Sequence, residues 1–175
     1  MEQILIIEDN DDTSLILQLQ LKQMGFASTV VERCSTLADV AGYVTSESLQ
    51  IILTDLGLPD SPASETFSRI QTMFPYTPIV VLTGIDEVST AMETLQQGAQ
   101  DYLVKGQYNI GEFKRSINYA IQRKKASNDY ERLFHDNPAP MFIYEDHTFR
   151  FLAVNEAALH QYGYSRQELL LSEIK

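Results

Sequence analysis

The stretch IILTDLGLPDS, residues 51–61, places a carboxylate directly after a short aliphatic run. Three aliphatic residues and a threonine lead to Asp55, and the glycine and proline that follow would end a strand. Apolar residues at consecutive positions are typical of a strand that is covered on both faces of a parallel sheet. Asp55 is therefore expected at the carboxyl end of a buried strand.

Similar aliphatic runs recur over the first two thirds of the chain, and longer segments with helical spacing separate them. The other runs are Gln3–Ile7, Ala27–Val31, Pro78–Thr83 and Asp101–Val104. Alternation of strand and helix predicts a doubly wound α/β domain with a five-stranded parallel sheet and right-handed crossovers. In such a sheet, groups at the carboxyl ends of the strands share one crevice.

The helical segments carry stop and cap signals. The first is predicted to bury a face with Leu15, Leu19 and Met24, and Gly25 to end it. Ser35 or Thr36 is predicted to cap the second. Cys34, placed at the start of that helix, is interpreted as a small packed residue rather than a reactive thiol.

The last helix of this domain is predicted to begin near Ile110 and to run on. Its first part carries an apolar stripe, and its continuation at residues 122–134 is polar and basic. We interpret this continuation as a linker helix, on which a short dimeric coiled coil could form.

Composition excludes several classes of protein. The chain has 175 residues and a net charge of -11, which argues against a nucleic-acid-binding surface on this stretch. The single cysteine excludes an internal disulfide framework and suits a reducing cytoplasm. The apolar runs are too short to span a membrane, so a cytoplasmic protein is expected.

The predicted strand ends bring reactive groups together. Glu8 and Asp9 follow the first strand, Asp55 ends the third, Thr83 the fourth and Lys105 the fifth. Clustered carboxylates favour a divalent cation with oxygen ligands, and Mg²⁺ is the natural candidate. A metal, an ammonium and a hydroxyl around one more carboxylate suit phosphoryl transfer, with Asp55 as the attacking group.

Residues 1–124 resemble the receiver domain of bacterial two-component response regulators, a flavodoxin-like fold. The motifs IIEDN, LTDLGLPDS, VVLTG and DYLVKG occur in the family's order. The resemblance implies that Asp55 accepts phosphate from a phosphohistidine on a sensor histidine kinase or phosphotransfer protein. It also implies that Glu8, Asp9, Asp55 and the backbone carbonyl of Gly57 hold Mg²⁺.

The resemblance also implies a switch. Thr83 would contact the phosphoryl group, Lys105 would pair with it, and Tyr102 would move inward when Thr83 moves. The face formed by the fourth helix, fifth strand and fifth helix would then change partners or form a homodimer. Such a receiver is a signalling module, which catalyses only its own phosphotransfer and dephosphorylation.

Three positions depart from the family pattern. The acidic pair is Glu8–Asp9 rather than two aspartates, and Ala63 stands where a glycine is usual. Gly106 replaces the usual proline after Lys105. A cis Lys–Pro bond is therefore excluded, and the isomer of the Lys105–Gly106 bond is left open. None of the three departures removes a charged residue of the site.

Residues 130–175 are similar to the start of a PAS sensory domain, an α+β fold. Two β-rich runs, at 141–145 and 149–154, flank a hairpin turn. Asn155 and Ser165 are predicted to cap the two helices that follow, and Glu168 completes a capping box with Ser165. We interpret this segment as the N-terminal portion of a PAS-like domain, incomplete within the chain.

Two other functions compete with a phosphorylation switch. A phosphatase of the haloacid dehalogenase type also uses a strand-end aspartate, but it needs an acid two residues later, where this chain has Gly57. A pseudo-receiver would bind partners without phosphate, and the complete set of charged groups argues against it.

Overall fold

A computed structural model of the protein describes residues 3–26, 29–43 and 49–171. The chain divides into two compact units, residues 1–124 and residues 125–175. We describe each unit by itself. The ends of three predicted segments, at residues 27–28, 44 and 172–175, lie outside the described residues.

The first unit is built on a five-stranded, wholly parallel sheet with the strand order β2-β1-β3-β4-β5. The strands are β1 (Gln3–Ile7), β2 (Val30–Cys34), β3 (Leu49–Asp55), β4 (Ile79–Thr83) and β5 (Asp101–Val104). This order is that of flavodoxin-like folds and puts a switch point between β1 and β3. The predicted fold class is confirmed.

Helices connect the strands. They are α1 (Asp11–Gln23), α2 (Leu37–Gly42), α3 (Ala63–Met73), α4 (Val88–Gln96) and α5 (Ile110–His135), with a short 3₁₀ turn at Ile85–Glu87. Thr36 caps α2 by accepting a hydrogen bond from the Asp39 backbone N–H at 3.0 Å. Within the described residues, we find no helix with the length and apolar character that crossing a membrane requires.

Both faces of the sheet are buried, and this explains the continuous apolar runs. One face packs under α2, α3 and α4 with a core that includes Ile52, Phe67 and Ile70. The other packs under α1 and α5, whose Leu17 and Phe113 are almost fully buried. The strands are therefore covered on two sides, and the polar groups concentrate at their ends.

The buried face of α1 differs from the predicted one. Leu15 and Leu19 are 56% and 50% exposed, whereas Leu17, Leu21 and Met24 are buried. The prediction for Leu15 and Leu19 was wrong, and only Met24 was placed correctly. Apolar residues occur around most of this helix, so spacing alone could not select the face that meets the sheet.

Strand β2 begins later than predicted. Its pairing with β1 aligns Val30 with Gln3 and Cys34 with Ile7, so the strand covers 30–34 rather than 27–31. Cys34 therefore ends a strand and does not begin a helix. Its side chain is buried, and burial raises the pKa of the thiol to about 11, which agrees with a packed residue.

The second unit contains the end of α5 and a small antiparallel sheet of β6 (Phe142–Tyr144) and β7 (Phe151–Val154). Helices α6 (Glu156–Tyr162) and α7 (Arg166–Leu170) follow. Asn155 caps α6, and Ser165 forms a capping box with Glu168 at the start of α7, as predicted. This arrangement is consistent with a PAS-like α+β segment.

Candidate functional site

Three carboxylates meet at the carboxyl edge of the first unit's sheet. Strand β1 leads into Glu8 and Asp9, and the adjacent strand β3 ends at Asp55. One oxygen from each of these residues lies within 4.8 Å of the other two. Glu8 and Asp55 are buried and Asp9 is exposed. We call this group the acidic pocket.

Lys105 joins two members of the acidic pocket. It directly follows β5, and its backbone N–H donates to the Thr83 carbonyl at 2.8 Å. Its Nζ donates to Asp55 Oδ2 at 2.7 Å and lies 2.7 Å from Glu8 Oε2. The other Asp55 oxygen, Oδ1, accepts a hydrogen bond from the Leu56 backbone N–H at 2.8 Å. Both oxygens of Asp55 are thus held in place.

Burial and neighbouring opposite charges shift the pKa values of Glu8 and Lys105 in opposite directions. Burial raises the pKa of Glu8, and the Lys105 ammonium offsets that rise only in part. Burial alone would lower the pKa of Lys105, but its contacts with Asp55 and Glu8 outweigh burial and the pKa is raised. Lys105 is therefore a cation at neutral pH, and it is the group that neutralises the carboxylates.

Thr83 and Tyr102 lie on the neighbouring strands. Asp55 pairs in register with Leu82, so Thr83 lies one residue further along β4. Thr83 is fully buried, and its hydroxyl donates to the Gly84 carbonyl at 3.2 Å. Tyr102 is half-buried and packs against the core beneath α2, α3 and α4. The switch roles assigned to both residues remain predictions.

The loop after Asp55 makes two contacts that the sequence did not indicate. A Cβ added to Gly57 would lie 3.2 Å from Glu87 Oε1, so the Glu87 side chain lies against this glycine. The Asp60 carboxylate accepts hydrogen bonds from the backbone N–H groups of Leu37 and Ala38, each at 2.9 Å. Asp60 therefore ties the loop that carries Gly57 to the start of α2.

Arg33 is a third residue that sequence reasoning missed. Its Nε donates to the Glu8 carbonyl at 2.9 Å, and its Nη2 donates to the Asp9 carbonyl at 2.8 Å. Its Nη1 pairs with the Asp11 carboxylate. Because two of these acceptors are backbone carbonyls, no sequence motif marks the contact. The signal in the sequence was a lone basic residue two positions after the predicted second strand.

The turn after Lys105 contains a residue with a left-handed backbone conformation. The Lys105–Gly106 bond is trans, since the described residues contain no cis peptide bond. Gly106 has a φ of 77°, in the left-handed region. Proline holds φ near -65°, so it could not adopt this conformation. The replacement of proline by Gly106 therefore accompanies a different turn.

The donor set of the acidic pocket fits a divalent cation. Glu8 Oε2 is buried and pairs with the Lys105 ammonium at 2.7 Å. Three carboxylates with close oxygens, two of them on buried residues, match the preference of Mg²⁺ for hard oxygen ligands. A bound cation would supply positive charge that Lys105 alone does not provide to all three acids.

Two family models match the chain. Residues 4–117 match the response regulator receiver domain, and residues 128–174 match the PAS domain. The chain is 30% identical over 125 residues to the cell cycle transcriptional regulator CtrA of Caulobacter vibrioides, covering 70% of this chain and 51% of CtrA. It is 24% identical over 127 residues to the DNA-binding transcriptional regulator NtrC of Proteus hauseri, covering 70% of this chain and 26% of NtrC. The chain thus spans about half the length of CtrA and about a quarter of NtrC.

Solved structures share the fold of the first unit. A receiver domain protein from Clostridium thermocellum aligns with a TM-score of 0.61 at 24% identity, over 73% of this chain and 99% of that chain. A structure described as adenylate cyclase from Rhodopirellula baltica aligns with a TM-score of 0.63 at 22% identity, over 75% and 96%. At these identities the likeness shows the fold alone.

Proposed function

The chain belongs to the response regulator receiver domain family, and we propose that residues 1–124 act as a phosphorylation-dependent signalling switch. Asp55 is the proposed phosphoacceptor. The observation that supports this role most strongly is the Asp55 carboxylate itself, hydrogen-bonded to Lys105 and close to Glu8 and Asp9.

The proposed reaction is transfer of a phosphoryl group from a phosphohistidine. A carboxylate oxygen of Asp55 attacks phosphorus, the P–N bond to the imidazole breaks, and an aspartyl phosphate forms. Lys105 pairs with the transferred group and Thr83 donates a hydrogen bond to it. Mg²⁺, held by Glu8, Asp9, Asp55 and the Gly57 carbonyl, would supply charge neutralisation.

The proposed output follows from the family. Movement of Thr83 and Tyr102 would change the face of α4, β5 and α5, where homodimers or other partners could bind. Helix α5 continues through residues 122–134, the proposed linker, to a PAS-like segment at 130–175, and it would relay the change to a PAS-containing output. The donor would be a sensor histidine kinase or a phosphotransfer protein, and cytoplasmic location remains a prediction.

Phosphorylation by a small donor tests the proposal. We expect the protein with Mg²⁺ and acetyl phosphate to gain one acid-labile phosphoryl group, observed by intact mass spectrometry. Asp55→Asn should abolish the gain, because the amide is a poor nucleophile, and chelation of Mg²⁺ should abolish it in the wild type.

Asp129→Asn is the matched control, since Asp129 is an exposed acid on α5 outside the acidic pocket. It should be phosphorylated like the wild type. Phosphate uptake by Asp55→Asn at the wild-type rate would refute the site. A wild type that takes up no phosphate would favour a pseudo-receiver. A phosphatase of the haloacid dehalogenase type is disfavoured, because Gly57 offers no acid or base.

A further inference from the structure

The guanidinium of Arg33 contacts one short segment of the chain. We call residues Glu8–Asp11, which follow β1 and end with the first residue of α1, the acidic loop. Arg33 donates to the Glu8 carbonyl at 2.9 Å, to the Asp9 carbonyl at 2.8 Å, and pairs with the Asp11 carboxylate. All three guanidinium nitrogens therefore contact the acidic loop.

The strand register brings Arg33 to this position. β1 and β2 pair from Gln3–Val30 to Ile7–Cys34, and the Glu8 backbone N–H continues the pairing by donating to the Cys34 carbonyl at 3.0 Å. Arg33 is the residue before Cys34, so its side chain starts beside the point where β1 becomes the acidic loop. The contact is thus a consequence of the sheet and not of a flexible surface side chain.

The acidic loop carries two of the three acids of the acidic pocket. A carbonyl group and a side chain leave the same residue, so fixing the carbonyls of Glu8 and Asp9 restricts the directions in which their carboxylates leave the backbone. The Asn10 backbone N–H donates to Glu8 Oε1 at 3.3 Å, and Asn10 Oδ1 caps α1. Arg33 is the member of this set that reaches the loop from another strand.

We infer that Arg33 is a positioning residue for the Glu8 and Asp9 carboxylates, and that it sets the affinity of the acidic pocket for a divalent cation. The inference rests on the proposed function, because it assigns that pocket to a cation. Arg33 itself would contact neither the cation nor the phosphoryl group.

Two effects of Arg33 act in opposite directions. Its orientation of the loop favours cation binding, whereas its positive charge disfavours it. The Arg33 side chain is 28% exposed and Asp11 is 88% exposed, so solvent and the ion pair screen the charge. Partners that orient metal ligands typically change affinity about 10- to 100-fold. We therefore expect orientation to dominate.

Replacing Arg33 with lysine distinguishes the effect of loop orientation from the effect of charge. Lysine keeps the positive charge but presents a single ammonium rather than the planar fork that reaches three acceptors. If orientation dominates, Arg33→Lys and Arg33→Gln both weaken cation binding. If charge dominates, Arg33→Gln strengthens binding and Arg33→Lys leaves it unchanged.

The test is the affinity of the full chain for Mg²⁺ by calorimetry and for Mn²⁺ by electron paramagnetic resonance. We expect both Arg33 variants to bind each ion about tenfold more weakly than the wild type. Arg123→Gln is the matched control, because Arg123 also donates to a backbone carbonyl, that of Gln100, away from the acidic pocket. It should bind like the wild type.

Hydrogen exchange of the metal-free proteins adds a readout that does not depend on the cation. Both Arg33 variants should exchange the amides of the acidic loop faster while the amides of β3 and β4 keep their protection. Unchanged or tighter binding by Arg33→Gln would overturn the inference while leaving the proposed function intact. A wild type that binds neither ion would overturn the proposed function, and the inference with it.

Discussion

Lys105 holds together a site whose acids repel one another. Its Nζ lies 2.7 Å from both Asp55 Oδ2 and Glu8 Oε2, and both carboxylates are buried. Without the ammonium, ionised Glu8 and Asp55 would share a poorly solvated space with no cationic partner. A bound divalent cation would offer a second way to neutralise them.

Replacement of Lys105 should therefore destabilise the metal-free protein. Breaking a buried ion pair costs about 3–5 kcal/mol, and because the Lys105 side chain is 25% exposed we expect a loss of about 2 kcal/mol for Lys105→Met. Urea unfolding in the presence of a chelator measures it. Saturating Mg²⁺ should stabilise the variant more than the wild type, since the cation then neutralises both acids.

The contribution of Lys105 to the free energy of unfolding should depend on pH. The pKa of Lys105 is raised above 10.5 in the folded state, so its contribution to stability is complete below pH 10.5 and is lost as pH rises through the raised pKa. The difference between wild type and Lys105→Met should shrink there. Lys114→Met, at an exposed position on α5, is the control. Equal losses in the two variants at neutral pH would contradict the role of Lys105.

At the scale of single elements, α1 shows where sequence patterns lose information. Buried strands were found because apolar runs bounded by turn residues are distinctive. The buried face of α1 could not be predicted, because apolar residues occur on most sides of this helix. Packing against the sheet determines which of them are buried among Leu15, Ile16, Leu17, Leu19 and Leu21. The start of β2 was missed for the same reason, since its pairing with β1 sets it.

Alanine substitutions on α1 should separate its two faces. Leu17 is 1% exposed, so Leu17→Ala leaves a cavity and should cost about 2–5 kcal/mol of unfolding free energy. Leu15 is 56% exposed, and Leu15→Ala should change stability by about 0.5 kcal/mol or less. Denaturant unfolding of both variants measures the contrast. A larger loss for Leu15→Ala would place the helix on the sheet by its other face.

In the candidate site, too, features that follow from local sequence could be predicted, and contacts between distant elements could not. The sequence could predict that Glu8, Asp9, Asp55 and Lys105 lie close together. Parallel strand ends converge, and each residue ends a strand or lies within two residues of its end. The contacts of Arg33, Asp60 and Glu87 could not be predicted. Their contacts join the ends of different elements, mostly through backbone atoms that every residue carries.

At the scale of the whole chain, different kinds of contact join the elements of each compact unit. The first unit buries two faces of a sheet. The described residues of the second unit form two short strands, and the side chain of Asn155 joins several of its segments. Its Nδ2 lies within 3.2 Å of the carbonyls of Phe134, Asn137 and Ala139, and the three carbonyls share its two N–H groups. Its Oδ1 accepts from the backbone N–H groups of Met141 and Ala158.

Asn155 therefore ties the end of α5, the start of β6 and the start of α6 into one unit. The side chain is fully buried, so its removal would leave several backbone groups without partners, and each such group costs about 1–3 kcal/mol. A small unit has little apolar burial with which to offset that cost.

Asn155→Ala should consequently disrupt the second unit and leave the first unchanged. Hydrogen exchange with mass spectrometry should show loss of protection in β6, β7 and α6, while β1, β3 and β4 keep theirs. Asn155→Asp should be at least as disruptive, since it keeps the oxygen that caps α6 but turns a second oxygen toward three carbonyls. Gln161→Ala, at an exposed amide on α6, should leave both units protected. Exchange in Asn155→Ala that matches Gln161→Ala would mean that apolar contacts alone hold the second unit together.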